Sequence, residues 1–370
     1  MDIADFDRLL RRLNELDGSD LHIKAGAPPR MRLAGALRTL DDEGVFSTQE
    51  AREVAESIMS PSVRETFEAH HEADFAYSVP GVGRYRINAY YQRSSVSLAI
   101  RRVRSAPATA GQLGLPDVVH TLAEEMRGLV LVTGPTGSGK TTTLAAMIDH
   151  INHLRSCHIV TIEDPIEVLH KDNLAAIDQR EVGFDTDSFA SAMRVVLRQD
   201  PDVILVGEMR DQETVEAALS AAETGHLVFS TLHTINATET VNRIVDFFPP
   251  HQQNQVRISL AGSLKGIVCQ RLIPTAAGDS RVPAIEVLVV NGRVQQAIID
   301  PMITGDIGSI IADGSYYGMV TFDQSLADLL AKGTITLAEA MSTATNPHDL
   351  KVLLERQGIL QTGSFATQLS

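Results

Sequence analysis

The sequence predicts an α/β fold, a mostly parallel sheet covered by helices on both faces and preceded by a smaller α/β domain. Three observations carry this. From residue 129 onward short apolar runs at 129–133, 158–163, 203–206 and 227–232 alternate with helical patterns near 141–154, 187–199, 211–223 and 236–246, the order that builds a parallel sheet buried on both sides. The first of these runs leads through a glycine-rich turn straight into a helix. The chain, at 370 residues, is also longer than a single core usually serves.

Taken in order, residues 5–16 read as a helix because Phe6, Leu9, Leu10, Leu13 and Leu16 recur near the helical period. Asp17 and Gly18 turn the chain, and strands at 21–24 and 30–33 flank the Gly26-Ala27-Pro28-Pro29 breaker. Ser47 with Glu50 forms a capping box for a helix through Met59, and Pro61 opens another to about His71. Strands at 73–79, 83–92 and 96–103 follow, with turns at Pro80-Gly81 and Arg93-Ser94-Ser95. These elements make a first domain over 1–104. An alanine-rich linker with Pro107 occupies 105–116, and a second domain spans 117–345. It begins with a helix at 117–126, and after the four strands it continues helical over 252–273, with a strand at 284–289 and largely helical sequence to 344. Residues 346–370 comprise one more amphipathic helix, DLKVLLERQG, and a polar tail expected to fray.

Composition narrows the class. Apolar content of 44% is ordinary for a globular protein, and no apolar run is long enough to cross a bilayer. The amphipathic, acid-containing N-terminal segment lacks a signal-peptide core, which predicts a cytoplasmic protein. Cys157 and Cys269 have neither CxxC spacing nor enough companions for a zinc site, and read as thiols in a reducing compartment. A net charge of −15 argues against nucleic acid as the main partner. The densest basic run is Arg101, Arg102 and Arg104, beside Arg84, Arg86 and Arg93.

The turn after the first apolar strand reads Gly134-Pro135-Thr136-Gly137-Ser138-Gly139-Lys140-Thr141-Thr142. Strand, glycine loop, lysine, threonine and helix together are the full context of a P-loop. Its glycines let consecutive N–H groups turn inward around phosphate oxygens, and the helix adds its positive end. Lys140 reaches the β- and γ-phosphates of ATP in this reading, and Thr141 offers its hydroxyl to Mg²⁺.

Two acids stand at carboxyl ends of strands, the edge where open α/β sheets bind ligands. HIVTIEDPIE ends its strand at Glu163-Asp164, and DPDVILVGEMRD places Gly207-Glu208 where the generic second nucleotide motif has an aspartate. Glu208 therefore takes the polar role there, acting on the metal through a water, and the sequence leaves open which glutamate orients the attacking water. In ETGHLVFSTLHT, His226 precedes a strand and His233 follows it, so His233 falls near the same edge as a γ-phosphate sensor. Developing charge in the transition state calls for an arginine. Candidates are Arg180, Arg194, Arg198, Arg210 and Arg243 in the second domain and Arg84, Arg86 and Arg101 in the first.

These blocks, with QREVG at 179–183 and with GSDLHIKAGAPPRMRLAG and GVGRYRINAYYQ in the first domain, resemble the PilT/PilU twitching-motility motors of the bacterial secretion ATPase superfamily over residues 5–350. The resemblance implies a RecA-like P-loop ATPase domain behind a PAS-like N-terminal domain, in a homohexamer whose nucleotide sites are completed by the neighbouring subunit. It places Glu163 at the catalytic glutamate, Glu208 at the Walker B position, and His226 and His233 at the histidine-box pair. Arg86 and Arg101 match the arginines that reach toward the γ-phosphate, with Arg84 a weaker match. It further implies peripheral recruitment to an inner-membrane platform protein and pilus retraction driven by ATP. GFDTDSFASAMRVVLRQDPDVIL and STATNPHDLKVLLERQG resemble PilU more than PilT, and the PilT-type motif beginning Ala-Ile-Arg is replaced by NGRVQQAIIDPM. The alternative implied is an accessory subunit beside a separate PilT-type motor. Assembly and type II secretion ATPases fit less well, because they carry a larger N-terminal extension and a four-cysteine zinc element.

Overall fold

The computed structural model describes residues 3–104 and 107–360, in two compact units. The first contains α1 (Ile3–Glu15), β1 (Asp20–Lys24), β2 (Arg30–Leu33), β3 (Ala36–Thr39), α2 (Thr48–Ile58), α3 (Pro61–His70), β4 (Glu72–Val79), β5 (Gly83–Gln92) and β6 (Ser95–Arg102). Its strands form one antiparallel sheet in the order β3-β2-β1-β6-β5-β4. Alternation decides what each face meets. Along β5, Tyr85, Ile87 and Ala89 are buried, whereas Arg84, Arg86 and Asn88 between them are not. The buried set packs with Phe6, Leu9, Leu10 and Leu13 of α1, Val54 and Ile58 of α2, and Phe67 of α3. Tyr85 satisfies its buried hydroxyl by donating to the Leu10 carbonyl at 2.9 Å. The Ser47–Glu50 capping box and the Pro61 helix start are both present. β3 is an added edge strand, exposed along its whole length, and so carries no burial pattern for a sequence reading to detect.

The second unit contains α4 (Val118–Ala123), β7 (Gly128–Thr133), α5 (Lys140–Leu154), β8 (His158–Glu163), β9 (Ala176–Glu181), α6 (Phe189–Val196), β10 (Val203–Val206), α7 (Gln212–Glu223), β11 (Leu227–Leu232), α8 (Ala237–Asp246), α9 (Pro250–Ser263), β12 (Leu264–Pro274) and β13 (Arg281–Val289). Helices α10 (Gly292–Ile299), α11 (Ile307–Ala312), α12 (Phe322–Ala331), α13 (Leu337–Thr343) and α14 (Pro347–Arg356) follow. Its sheet has the order β13-β12-β7-β11-β10-β8-β9 and is parallel except for the β12–β13 pair. β7, β10 and β11 are buried at every residue, which explains why they read as continuous apolar runs.

Besides β3, three details differ from the sequence reading. The stretch 252–273 is not one helix, because it breaks at Leu264 into β12. LKGIVCQRLIP lies against β7 on one side and β13 on the other, so it lacks the alternation that marks a half-exposed strand. Gly266 permits this approach, since a Cβ there would stand 2.7 Å from Leu122 Cδ2 and 2.9 Å from the Leu288 carbonyl. The second difference is β9, a polar strand read only as part of a motif. The third is the expected linker. Residues 105 and 106 lie outside the described residues, while 107–116 belong to the second unit, with Ala110 and Leu115 buried in its core. Leu350 and Leu354 of α14 are likewise buried in that unit's core, and the polar tail from 361 lies outside the described residues.

Candidate active site

Parallel strands carry the loops after β7, β8, β10 and β11 to one edge of the sheet. The first is the glycine loop. Gly134, Gly137 and Gly139 have φ of 144°, 78° and 93°, values that side chains rarely permit. At Gly134 a Cβ would in addition stand 2.3 Å from the Gln270 carbonyl. Gly139 is the N-cap of α5 and supplies no side-chain cap, so the first-turn N–H groups face a possible anion rather than an internal acceptor. Pro135, Thr136 and Gly137 are exposed at the rim, Ser138 is buried, and Gly139, Lys140, Thr141 and Thr142 are half-buried. The donor set and backbone shape fit a polyphosphate. Lys140 Nζ donates to the Gly134 carbonyl at 2.7 Å and stands 3.5 Å from His233 Nδ1.

From His233 a chain of polar contacts crosses the edge. His233 Nε2 lies 3.0 Å from Glu208 Oε1, Arg210 Nη2 lies 2.7 Å from Glu208 Oε2, and Arg210 Nη1 lies 3.9 Å from Asp164 Oδ2. The hydrogen bond to Glu208 raises the Arg210 pKa further, so this guanidinium is a fixed charge. Glu208 is mostly buried, with 17% of its side chain exposed.

Glu163 sits beside this chain in a different setting. Thr161 Oγ1 donates to its Oε1 at 2.7 Å and Gln179 Nε2 donates to the same oxygen at 3.0 Å. Thr161 lies two residues earlier on β8, hence on the same face. That period-2 relation is legible in the sequence; the Gln179 contact is not, because β9 is a polar strand with no apolar pattern to mark it. Gly207, where the generic motif has an aspartate, has a packing reason. A Cβ there would meet the Ile162 carbonyl at 3.1 Å and Glu163 Cα at 3.4 Å.

Not every candidate joins the cluster. His226 is at the amino end of β11, where Gly128 N–H donates to its carbonyl at 2.9 Å. Six strand residues separate it from His233, about 20 Å at the usual rise. Its Nδ1 is 3.0 Å from the Ala221 carbonyl at the end of α7. Among second-unit arginines, Arg180 donates to the Asp185 carbonyl, Arg194 pairs with Glu213, and Arg243 lies over Phe247. Arg210 alone of these is part of the polar chain.

Arg86 and Arg101 belong to the first unit, directly opposite each other on β5 and β6. Like charges so placed repel. Asp20, Arg101's neighbour on the other side, offsets this by accepting from Arg101 Nε at 2.9 Å and lying 3.5 Å from Arg32 Nε. Burial pushes the Asp20 carboxyl up, but hydrogen bonds from Ser19 and Arg101 and the charges of Arg101 and Arg32 outweigh it and hold it below the usual range.

Among the described residues no cluster of histidine, cysteine and acidic side chains has metal-binding geometry by itself. A Mg²⁺ here would therefore rest on phosphate oxygens and water besides Thr141 and Glu208. No described helix is long and apolar enough to cross a membrane. Cys269 is buried and Cys157 half-buried, both as free thiols.

A family model of type II/IV secretion system proteins matches residues 92–316. The type IV pilus ATPase PilU of Pseudomonas aeruginosa is 41% identical over 351 residues, 95% of this chain and 91% of its own length. The type IV pilus retraction ATPase PilT of the same organism is 42% identical over 345 residues, 93% of this chain and 99% of its own. A crystal structure of the pilus retraction motor PilT with bound ADP aligns with a TM-score of 0.84 at 46% identity, covering 95% of this chain and 99% of that one. Overall identity thus does not separate PilU from PilT. The fold is α/β, with a RecA-like P-loop ATPase domain and a smaller N-terminal domain, and the chain belongs to the PilT/PilU family of type IV pilus retraction ATPases within the type II/IV secretion ATPase superfamily.

Proposed function

We propose that this chain is the ATP-hydrolysing subunit of a homohexameric motor that retracts a type IV pilus. The observation that carries the catalytic part is the junction of Lys140, His233 and Glu208 at the mouth of the glycine loop. Bound ATP and Mg²⁺ supply the phosphoanhydride bond and the Lewis acid. Lys140 and the loop N–H groups hold the phosphates. Thr141 and, through water, Glu208 hold the metal. Glu163, fixed by Thr161 and Gln179, orients the attacking water. His233 bonds to Glu208 and stands beside Lys140, so it can register whether the γ-phosphate is in place.

Arg86 and Arg101, on the face of the first sheet opposite its helices, complete the neighbouring subunit's site in this reading. The motor works in the cytoplasm, docked on an inner-membrane platform protein that passes its motion to the pilus. A second reading, an accessory subunit beside a separate PilT-type motor, is supported by the PilU-like segments GFDTDSFASAMRVVLRQDPDVIL and STATNPHDLKVLLERQG. Deletion of the gene followed by single-pilus retraction measurements tests both. Abundant pili that fail to retract support the primary motor, partial loss supports the accessory role, and loss of surface pili overturns both.

A further inference from the structure

β12 runs beside the phosphate-loop strand, and its Gln270 lies under the loop, only 2% exposed. Three contacts tie the two together. The Gln270 carbonyl occupies the space a Cβ of Gly134 would need, 2.3 Å away. Its side-chain Nε2 donates to the Ser138 carbonyl at 3.3 Å. The same nitrogen lies 3.4 Å from where a Cβ of Gly139 would stand. Its Oε1 is buried with no hydrogen-bond partner among the described residues, a cost in a core unless the amide has a task that its donor end performs.

The geometry of a peptide plane gives that task. The Ser138 carbonyl and the Gly139 N–H belong to one trans peptide, so they point in opposite directions. Holding the carbonyl down against Gln270 turns the Gly139 N–H up into the concave side of the loop. A flip of this peptide turns ψ of Ser138 and φ of Gly139, and Gly139, at φ of 93°, offers little resistance to it. We propose that Gln270 is a positioning residue for the phosphate loop, which fixes the Ser138–Gly139 peptide so that its N–H faces a nucleotide phosphate. The proposal rests on the reading of the loop as an ATP site.

The test compares Gln270→Leu and Gln270→Glu with unaltered protein and with Lys140→Ala, by calorimetric ADP affinity, steady-state KM and kcat for ATP, and thermal melting. Gln270→Leu removes the donor at similar volume. ADP affinity should weaken about tenfold and KM rise in step, as for a lost hydrogen bond to a charged ligand, while kcat at saturation changes less than about threefold, a split that a purely packing role would not produce. Gln270→Glu can donate only as the neutral acid. Its affinity deficit should therefore be small near pH 5.5 and grow toward pH 8, relative to unaltered protein. ADP affinity within twofold of normal in Gln270→Leu, or a pH-independent deficit in Gln270→Glu, would overturn the proposal. So would failure of both variants to fold, since Gln270 would then be a core residue first. Failure of the underlying site reading shows separately, as unchanged ADP affinity in Lys140→Ala.

Discussion

His226 and His233 bracket a single strand, β11, and meet opposite surroundings. At the carboxyl end His233 joins Glu208 and stands beside Lys140, among loops that converge from four parallel strands. At the amino end His226 bonds to the Ala221 carbonyl at the end of α7, and its neighbours there are occupied with one another. His158 reaches Asp178 and the Asp200 carbonyl, and Asp202 accepts from the His158 N–H at 2.8 Å. One residue type thus does two jobs. In a parallel sheet the strand direction sorts them, because helix N-termini and their N–H groups gather at the carboxyl edge while helix C-termini, which need capping donors, gather at the other.

Lys140→Ala tests the carboxyl edge most severely. Loss of the loop lysine should abolish measurable nucleotide binding and cut kcat/KM by at least about a hundredfold, measured by calorimetry and phosphate release. Normal turnover would mean that the carboxyl edge is not the site. Next come Glu163→Gln and Glu208→Gln, each expected to lower kcat by about a hundredfold or more while ADP still binds. Magnesium titration separates them. The Glu208 variant should need more Mg²⁺ and the Glu163 variant should not; the reverse pattern would exchange their roles. His233→Ala, which removes one contact of the Glu208 pair, should cost about tenfold in kcat.

The amino edge answers to pH instead. Burial pushes His158 down, but the hydrogen bonds its ring makes to Asp178 and to the Asp200 carbonyl outweigh it, and its pKa is raised. A raised histidine stabilises the fold fully below its unfolded pKa and loses that contribution as pH rises through the folded value. Thermal stability should therefore fall slightly from about pH 6 to pH 8, and His158→Gln should flatten the fall without changing the KM for ATP.

Much of this edge-to-edge sorting was legible in the sequence. β8, β10 and β11 have the bounds that their apolar runs predict, because fully buried strands between turn signals leave little freedom. The glycine loop was legible since its chemistry is local. What escaped depends on neighbours distant in sequence. Gln270 sits 132 positions beyond Ser138, on a strand whose two-sided burial hides its period. Gln179 supports Glu163 from a polar edge strand. The two glutamates read alike in the sequence, each at a strand end, whereas their surroundings differ: Glu208 meets His233 and Arg210, and Glu163 meets Thr161 and Gln179.

The smallest expected effect belongs to His226, and it is the most discriminating. Its backbone N–H and its ring both face the Ala221 carbonyl, to which Thr224 Oγ1 also donates at 3.1 Å, so the ring adds one more donor at the C-terminal end of a helix. His226→Ala should therefore cost about 0.5–1 kcal/mol of stability, read as a small drop in melting temperature, and change ATP turnover less than twofold. If turnover instead falls tenfold while the melting temperature holds, the residue acts on a neighbouring subunit's site in the ring. The division between the two edges would then be a property of the isolated subunit alone, and assembly would recruit the amino edge for chemistry.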